Sequence, residues 1–317
     1  MSAYKRADLK KVKTISIKAR KSKVTLADFA KPFNEVKDSF SGFVEGLPDI
    51  LVAKDLRTLV DHIITSRRRG KPVIFMMGAH VIKVGLSPVI IDLLHHDVIT
   101  AVAMNSAAAI HDVESAMWGQ TSEDVAAHLK DGRFGMARET GEFINTTLTK
   151  GAQNADDGYA EALGKELLRC KAPHRGISVL ATCVSLGVPV TVHAAIGTDI
   201  VHQQPSMDGA ATGEMTFRDF RCLCETCKHL TGGGVVVNVG SAVIMPEVFL
   251  KALTVARNLG AKARGFTTAV FDMNTHYRPT MNVMLRPTQD GGRGYYITGH
   301  HEIMVPLLAA MVKSRLR

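Results

Sequence analysis

The sequence has few aromatic residues, 6% of the chain with a single tryptophan, and no run of about 18 apolar residues. A membrane-spanning helix needs a run of roughly that length, so the sequence argues against a membrane span. Modules that bind nucleic acid combine a basic face with aromatic side chains that stack on bases. The body of this chain has no such stripe, so we do not expect nucleic acid as its partner.

The sequence also lacks the common motifs of nucleotide-binding and hydrolase sites. No G-x-G-x-x-G follows the first predicted strand, and neither G-x-x-x-x-G-K-[ST] nor G-x-S-x-G occurs. These absences exclude the common Rossmann fingerprint, a P-loop and the nucleophile elbow of serine hydrolases.

The chain has five cysteines, an odd number, and its first 25 residues contain no apolar stretch typical of a secretory signal. Both features fit a reducing compartment, so we predict a cytoplasmic protein. The C-x-C-x-x-C run at 222–227 has the spacing of metal ligands, but no second cysteine pair completes a site. Because residues 216–230 show helical periodicity, we interpret these cysteines as structural and predict no metal site.

The net charge of +9 belongs mainly to the N-terminal end of the chain. Residues 1–23 carry nine basic side chains and one acid, which leaves +1 for the rest. We predict a solvated basic tail over 1–24, an extension with one short helix over 25–53, and a single α/β domain over 54–317. The run Arg67-Arg68-Arg69-Gly70 suits the last turn and cap of a helix better than a phosphate site.

Short apolar segments alternate with amphipathic ones along the predicted domain. We predict strands at 72–77, 99–104, 188–193, 235–239, 265–272 and 295–298, and helices at 54–69, 87–95, 122–130, 160–170, 178–186, 216–230, 246–259 and 302–316. Residues 131–158, rich in Gly, Asn and Thr, are expected to form a long irregular excursion. Buried strands that alternate with helices indicate a doubly wound, mostly parallel sheet with helices on both faces, a Rossmann-like dinucleotide-binding fold.

Small and polar residues collect where the predicted strands end. Ligands of a doubly wound sheet bind outside the carboxyl ends of its strands. Seven of the thirteen histidines lie in these segments, at positions 80, 111, 193, 202, 276, 300 and 301. Such a group of titratable side chains favours a functional site at this edge.

Six segments carry a family resemblance. They are Gly78–Gly85, Asn105–Ala109 with His111-Asp112, Gly197-Thr-Asp199, Thr231–Val236, Asn274-Thr275 with Arg278-Pro279, and Tyr295–Thr298 with Pro306-Leu-Leu308. In order and spacing they resemble the deoxyhypusine synthase family over roughly residues 70–312. That family uses bound NAD to transfer an aminobutyl group from spermidine to a protein lysine. The resemblance implies NAD as cofactor, a polyamine-like substrate and a homotetramer with sites at subunit interfaces.

The sequence differs from that family at the positions of the family's catalytic residues. The family needs a lysine before the last strand to form an imine, but no lysine lies between Lys262 and Lys313. Arg286 lies in the corresponding segment and cannot replace it, because a guanidinium stays protonated. Asn238 stands where the family has an active-site histidine, and His111 replaces one of its paired acids. We therefore expect no true deoxyhypusine synthase activity.

The sequence predicts an NAD-binding enzyme, a transferase or an oxidoreductase of C–N bonds, that acts on a cationic amine or amino-acid-like substrate. The candidate catalytic residues are His80, His111, Asp112, Asp199 and His300, of which the two aspartates would bind the substrate cation and a histidine would act as general base. The candidate cofactor-binding residues are Gly78, Ala79, Lys83, Asn105, Ser106, Ala107, Gly232, Gly233, Asn274 and Thr275. Two alternatives stay open: a catalytically inactive homologue that serves as a scaffold, and a metal-dependent hydrolase that uses the strand-end histidines.

Overall fold

A computed structural model describes residues 3–153 and 156–316 of the chain. The chain divides into two compact units, the first ending at Lys54 and the second beginning at Asp55. In the first unit, short 3-10 turns occupy Leu9–Lys11, Ile17–Ala19 and Leu26–Asp28, and helix α1 spans Phe40–Gly46. Ser39 caps α1 by accepting a 3.3 Å hydrogen bond from the Gly42 N–H, as expected for serine at an N-cap.

The second unit is built on a six-stranded sheet in which every paired strand is parallel to its neighbour. The strands are β1 (Val73–Met77), β2 (Ala101–Asn105), β3 (Val190–His193), β4 (Val235–Val239), β5 (Thr267–Asp272) and β6 (Arg293–Thr298). Their order across the sheet is β3-β2-β1-β4-β5-β6. All residues of β1, β3, β4 and β5 are buried, which agrees with their continuous apolar sequences.

Helices connect the strands. They are α2 (Leu51–Arg68), α3 (Ala79–Lys83), α4 (Ser87–His95), α5 (Ser106–Trp118), α6 (Val125–Leu129), α7 (Arg138–Ala152), α8 (Tyr159–Arg169), α9 (Val179–Leu186), α10 (Gly209–Lys228), α11 (Ile244–Asn258), α12 (Tyr277–Pro279) and α13 (His301–Lys313). A π-helical turn at Thr280–Leu285 and a 3-10 turn at Arg286–Thr288 lead into β6. The doubly wound α/β fold predicted from the sequence is confirmed. Within the described ranges, none of the helices combines the length and apolar content that crossing a bilayer requires.

The predicted irregular excursion at 131–158 is wrong over most of its described part, because α7 occupies Arg138–Ala152. Thr140, Ile144 and Leu148 are buried at four-residue intervals and form one helical face. Gly141, which has low helix propensity, is nevertheless required inside α7, since an added Cβ would overlap the side chain of Gln204. Packing therefore overrides local propensity in this segment. Residues 154 and 155 of the predicted excursion lie outside the described residues.

The edge strand β3 is protected by side chains of α10. The Asp219 carboxylate accepts hydrogen bonds from the Val192 N–H at 2.6 Å and the Ala160 N–H at 2.9 Å. The Thr216 hydroxyl donates to the Val192 carbonyl at 2.9 Å and accepts from the Ala194 N–H at 3.0 Å. A parallel edge strand would otherwise leave these backbone groups unpaired in a buried position. The backbone of Val192, within β3, and of Ala194, just after it, is thus held by α10.

The strand order reverses between β1 and β4, whose chain connections leave in opposite directions. This reversal opens a crevice at the carboxyl ends of the two strands, where doubly wound proteins bind their ligands. Gly78 follows β1 and Gly240 follows β4. A Cβ on Gly78 would lie 2.7 Å from the Gly240 carbonyl carbon and overlap its oxygen, so glycine is needed for the two turns to touch.

Candidate functional site

The carboxyl edge of the sheet, defined here as residues 78–83, 105–114, 194–199, 240–243, 272–278 and 299–302, brings most of the predicted site residues to one side of the molecule. Gly78, Ala79, His80 and Lys83 follow β1, and Asn105, Ser106, Ala107 and His111 follow β2. Asp199, the pair Asn274-Thr275, and His300 follow β3, β5 and β6, respectively. The direction of the parallel strands produces this grouping, because each strand delivers its following segment to the same edge.

Asp199 is a buried carboxylate, with only 5% of its side chain exposed. It accepts a short hydrogen bond from the Ser106 hydroxyl, and its Oδ2 lies 3.9 Å from Nε2 of His202. The N–H groups of Gly197 and Asp199 donate to Nδ1 of His202 at 3.2 and 3.3 Å, so Nε2 carries the proton of the neutral ring. Burial raises the pKa of Asp199, while the Ser106 hydrogen bond and the nearby histidines oppose the rise.

His111 lies on α5, one and a half turns after its cap Asn105. The Asn105 side chain accepts from the Ala108 N–H at 3.0 Å, so Asn105 is an N-cap as well as a residue of the edge. Nδ1 of His111 lies 2.6 Å from the Thr121 hydroxyl, which in turn donates to Glu114. Burial and the Lys83 ammonium lower the pKa of His111, so the ring is neutral at pH 7 and retains a basic nitrogen.

His80 lies at the crevice between β1 and β4. Its ring centroid is 5.4 Å from that of His301, and burial followed by the charge of His301 lowers the pKa of His80. The buried His301 ring packs against Gly240, whose φ of +65° suits glycine. Nε2 of His301 faces the Phe271 carbonyl oxygen at 3.3 Å, while Nδ1 is buried without a hydrogen-bond partner in the described structure.

The prediction missed one carboxylate at this edge. Asp272 ends β5, and its side chain is only 9% exposed. Its Oδ1 accepts from the Asn274 N–H at 3.3 Å and lies 3.5 Å from Nε2 of His276. The Tyr296 hydroxyl donates to the Asn274 carbonyl at 2.8 Å and accepts from the His276 N–H at 3.0 Å, which fixes the turn. Its position at a strand end, after Phe271, was the sequence signal that could have identified Asp272.

His300 is a more peripheral member of the edge. Its side chain is 65% exposed, and its Nδ1 lies 3.7 Å from Oε1 of Glu302. Asn274 and Thr275 are also exposed. These three residues can therefore contact a ligand only at the rim of the crevice, whereas the side chains of Asp199, His301 and Asp272 are buried at the same edge of the sheet.

The structure corrects the role predicted for Asp112. This residue is fully buried on α5 and accepts hydrogen bonds from the Ser178 hydroxyl and from the N–H groups of Val179 and Leu180 at 2.7 and 3.3 Å. These bonds cap the start of α9. Burial raises the pKa of Asp112 to about 6. Its oxygens face a helix N-terminus and no solvent, so we do not propose it as a substrate ligand.

The structure also corrects the placement of Gly232 and Gly233. Both precede β4 and therefore lie at the opposite, amino edge of the sheet. The five residues of β4 separate them from the crevice by roughly 16 Å at about 3.3 Å per residue. They cannot line a ligand together with Gly78 or Ser106.

The carboxyl edge is acidic when its histidines are neutral. Its segments contain Asp112, Glu114, Asp199, Asp272 and Glu302 against Lys83 and Arg278. Arg278 pairs with Glu247 at 3.3 Å. In the described part of the chain, Asp199 and Asp272 form no ion pair with lysine or arginine, and Lys83 pairs with no carboxylate. A search of residues 3–153 and 156–316 finds no group of three or more His, Cys, Asp or Glu side chains placed to hold a metal ion.

Comparisons with known proteins identify the fold and do not identify the activity. No family model matches the sequence, and no curated protein matches it. Solved structures do match. AgrE in complex with ornithine and NAD⁺ matches at 15% identity and a TM-score of 0.52, over 83% of this chain and 33% of that chain. This chain therefore spans about a third of the length of AgrE, and the same share of ArgZ, a cyanobacterial arginine dihydrolase.

Two further matches cover a larger share of the matched chain. A provisionally assigned deoxyhypusine synthase from Entamoeba histolytica matches at 10% identity and a TM-score of 0.51, over 90% of this chain and 98% of that one. A LOR/SDH protein of provisional assignment from Methanococcus maripaludis S2 matches at 14% identity and a TM-score of 0.51, over 82% and 69%. At these identities the likeness shows the fold alone, and the predicted deoxyhypusine synthase-like fold is confirmed.

Proposed function

We propose that this chain is an NAD-binding enzyme that acts on a cationic amine or amino-acid-like substrate at the carboxyl edge of its sheet. The substrate cation would bind next to Asp199 or Asp272, and a neutral histidine would exchange a proton with the substrate. The reaction would change the oxidation state of a C–N or C–O carbon. It would not involve an imine with a lysine of the 281–290 segment, which contains none.

One observation carries this proposal: in the described part of the chain, two buried carboxylates at the edge have no lysine or arginine beside them. A buried charge without a partner is costly, so such a group either takes up a proton or binds an external cation. The partners of Asp199 are the Ser106 hydroxyl and the His202 imidazole, and those of Asp272 are a backbone N–H and His276. An ammonium group of the substrate would supply the missing charge.

The crevice residues fit a dinucleotide. Contact between Gly78 and Gly240 keeps the floor of the crevice free of side chains, so a ligand can approach the backbone. Lys83 is an unpaired cation that could neutralise a pyrophosphate group, with Ala79, Asn105 and Ala107 beside it. The buried Nδ1 of His301 is an acceptor without a donor, available to a carboxamide N–H. NAD would supply a hydride acceptor or donor.

His80 and His111 are the candidate general bases. The pKa of each ring is lowered, so each is unprotonated at neutral pH and can accept a proton from an ammonium or a hydroxyl. His80 lies beside His301 in the crevice, which makes it the better placed of the two. The ligands in the AgrE complex, ornithine and NAD⁺, belong to the same chemical classes as the ligands proposed for this chain.

The first test is thermal unfolding with and without NAD, with ADP-ribose and zinc as parallel additions. A ligand that binds only the folded state stabilises it, by about 2.7 kcal/mol at 100 times its Kd. For a domain of this size, that corresponds to an increase in Tm of roughly 5–11 °C. An unchanged Tm with NAD at several millimolar would refute the cofactor proposal.

The second test addresses the substrate cation. We expect ornithine, arginine, putrescine or spermidine to raise the Tm further in the presence of NAD, and Asp199→Asn to abolish that increase while the increase with NAD persists. Asp97→Asn is the matched control: Asp97 lies at the amino edge, and asparagine tolerates its φ of +52°. If Asp199→Asn and Asp97→Asn respond equally to the amines, Asp199 is not the cation site.

A further inference from the structure

A second cavity lies at the amino edge of the sheet, where the strands begin. It has a volume of about 510 Å³ and is lined by Arg67, Gly70, Lys71, Pro72, Asp97, Thr100 and His229. That volume falls in the range of small-molecule sites. The cavity lies between the turns that lead into β1, β2 and β4. It is therefore separated from the crevice by the length of the strands, and it plays no part in the function proposed above.

The amino edge is strongly basic. The turns before the six strands, residues 67–72, 96–100, 187–189, 229–234, 259–266 and 286–292, contain seven lysines and arginines and two aspartates. Arg67 is held by the His96 carbonyl, to which its Nε donates at 3.0 Å, and lies 3.8 Å from Asp97. Over the described residues, Arg68, Arg69 and Lys71 form no ion pair. Of the residues that line the cavity, Arg67 and Lys71 are basic, and Asp97, with 87% of its side chain exposed, is acidic.

A glycine turn completes the surroundings of the cavity. Gly232, at φ +74°, and Gly233, at φ +125°, adopt backbone conformations that favour glycine. An added Cβ on Gly233 would lie 4.0 Å from Nη1 of Arg69, and the Val235 N–H donates to the carbonyl of Pro72, a lining residue. Within the described structure the Gly233 N–H has no protein acceptor, so it is available to an anion beside the Arg69 guanidinium.

We propose that this cavity binds the phosphate or pyrophosphate group of a small ligand. Lys71 and Arg67 line the cavity and supply the charge. Phosphate oxygens accept several charge-assisted hydrogen bonds at once, which is what an array of unpaired guanidinium, ammonium and N–H donors provides. Asp97 does not prevent this, because 87% of its side chain is exposed and its distance from Arg67 leaves the guanidinium free to bond elsewhere.

The test is calorimetric titration of the full chain with inorganic pyrophosphate, and in a second arm with ADP, both in the presence of saturating NAD. Binding of pyrophosphate alone identifies the free anion as sufficient, and binding of ADP alone identifies a nucleotide as the source. Loss of one charge-assisted contact weakens binding by about tenfold or more. We therefore expect Lys71→Glu and Arg67→Glu, at the two basic residues that line the cavity, each to lower the affinity by at least that factor.

Lys130→Glu is the matched control, since Lys130 is exposed and lies in the 125–137 region that packs near Gln203 and Gln204, beyond the carboxyl end of β3. At physiological salt its charge is screened from the cavity. Three results would overturn the proposal: no binding of either ligand, equal losses in Lys130→Glu and Lys71→Glu, or competition between pyrophosphate and NAD. If NAD itself fails to bind, the titration is repeated without it, so the two proposals fail separately.

Discussion

Substitution of Gly78 by alanine tests whether the contact between the β1 and β4 turns shapes the crevice. An added Cβ would overlap the carbonyl oxygen of Gly240 and lie 2.7 Å from its carbon and 3.2 Å from the Ser241 nitrogen. Because these are backbone atoms, no side-chain rotation can relieve the overlap, and one of the turns must move. Overpacking of this kind costs about 1–3 kcal/mol, or roughly 2–12 °C in Tm for a domain of this size.

The assay for Gly78→Ala is thermal unfolding in parallel with NAD binding. Gly213→Ala is the matched control, because Gly213 lies inside α10 with nothing within 4 Å of an added Cβ. Alanine there should stabilise the helix by about 0.5–1 kcal/mol. We expect Gly78→Ala to lower both the Tm and the affinity for NAD. A Gly78→Ala variant with the Tm and NAD affinity of the unmodified protein would refute the close contact and its role.

Three further predictions concern groups outside the crevice. Burial raises the pKa of Asp219 to about 8, so the folded state keeps a proton that the unfolded chain loses near pH 4. The free energy of unfolding should then fall by up to about 1.4 kcal/mol per pH unit between roughly pH 6 and 7.5, and urea titrations of Asp219→Asn should lack this slope. Asp112→Ala should cost at least about 2 kcal/mol, since it leaves the buried N–H groups of Val179 and Leu180 at the start of α9 unpaired; a smaller loss by chemical denaturation would contradict this role. Exposed Cys170 should react with iodoacetamide in the folded protein. Cys183 and Cys227 should react only on unfolding, because they are buried and burial raises the pKa of their thiols. Equal reaction rates for the three cysteines would disprove this burial.

The sequence predicted the sheet well because buried parallel strands leave a strong signal. Each of the six predicted strands overlaps an observed one, and the helix at 87–95 has the predicted bounds. Helices α3, α5, α7 and α12 were missed, of which α5 and α7 are the long ones. Residues 106–118 form α5 although they were interpreted as a strand-end segment; Asn105, an N-cap residue followed by an alanine run, was the signal that could have identified the helix. The α7 face depends on packing that its glycine and threonine content obscures.

The candidate site was predicted by position more successfully than by role. Asp112 and Asp199 both follow strands and both are buried, yet one caps a helix and the other lies at the crevice. Sequence spacing does not distinguish them, because the helical phase of α5 turns Asp112 towards α9. The candidate chosen from the sequence was His300, but the histidine that lies beside His80 is the buried His301.

The misplacement of Gly232 and Gly233 was avoidable from the sequence, because strand direction in a parallel sheet assigns every connecting segment to one edge. Segments before strands lie at the amino edge and segments after strands at the carboxyl edge. The segments that precede the strands, at the amino edge, carry seven basic and two acidic residues. The segments that follow the strands, at the carboxyl edge, carry five acidic and two basic residues. The two edges therefore differ in sign, and charge complementarity favours a cationic group at the crevice and an anionic group at the opposite cavity. The nearly neutral body of the protein thus presents two faces of opposite charge.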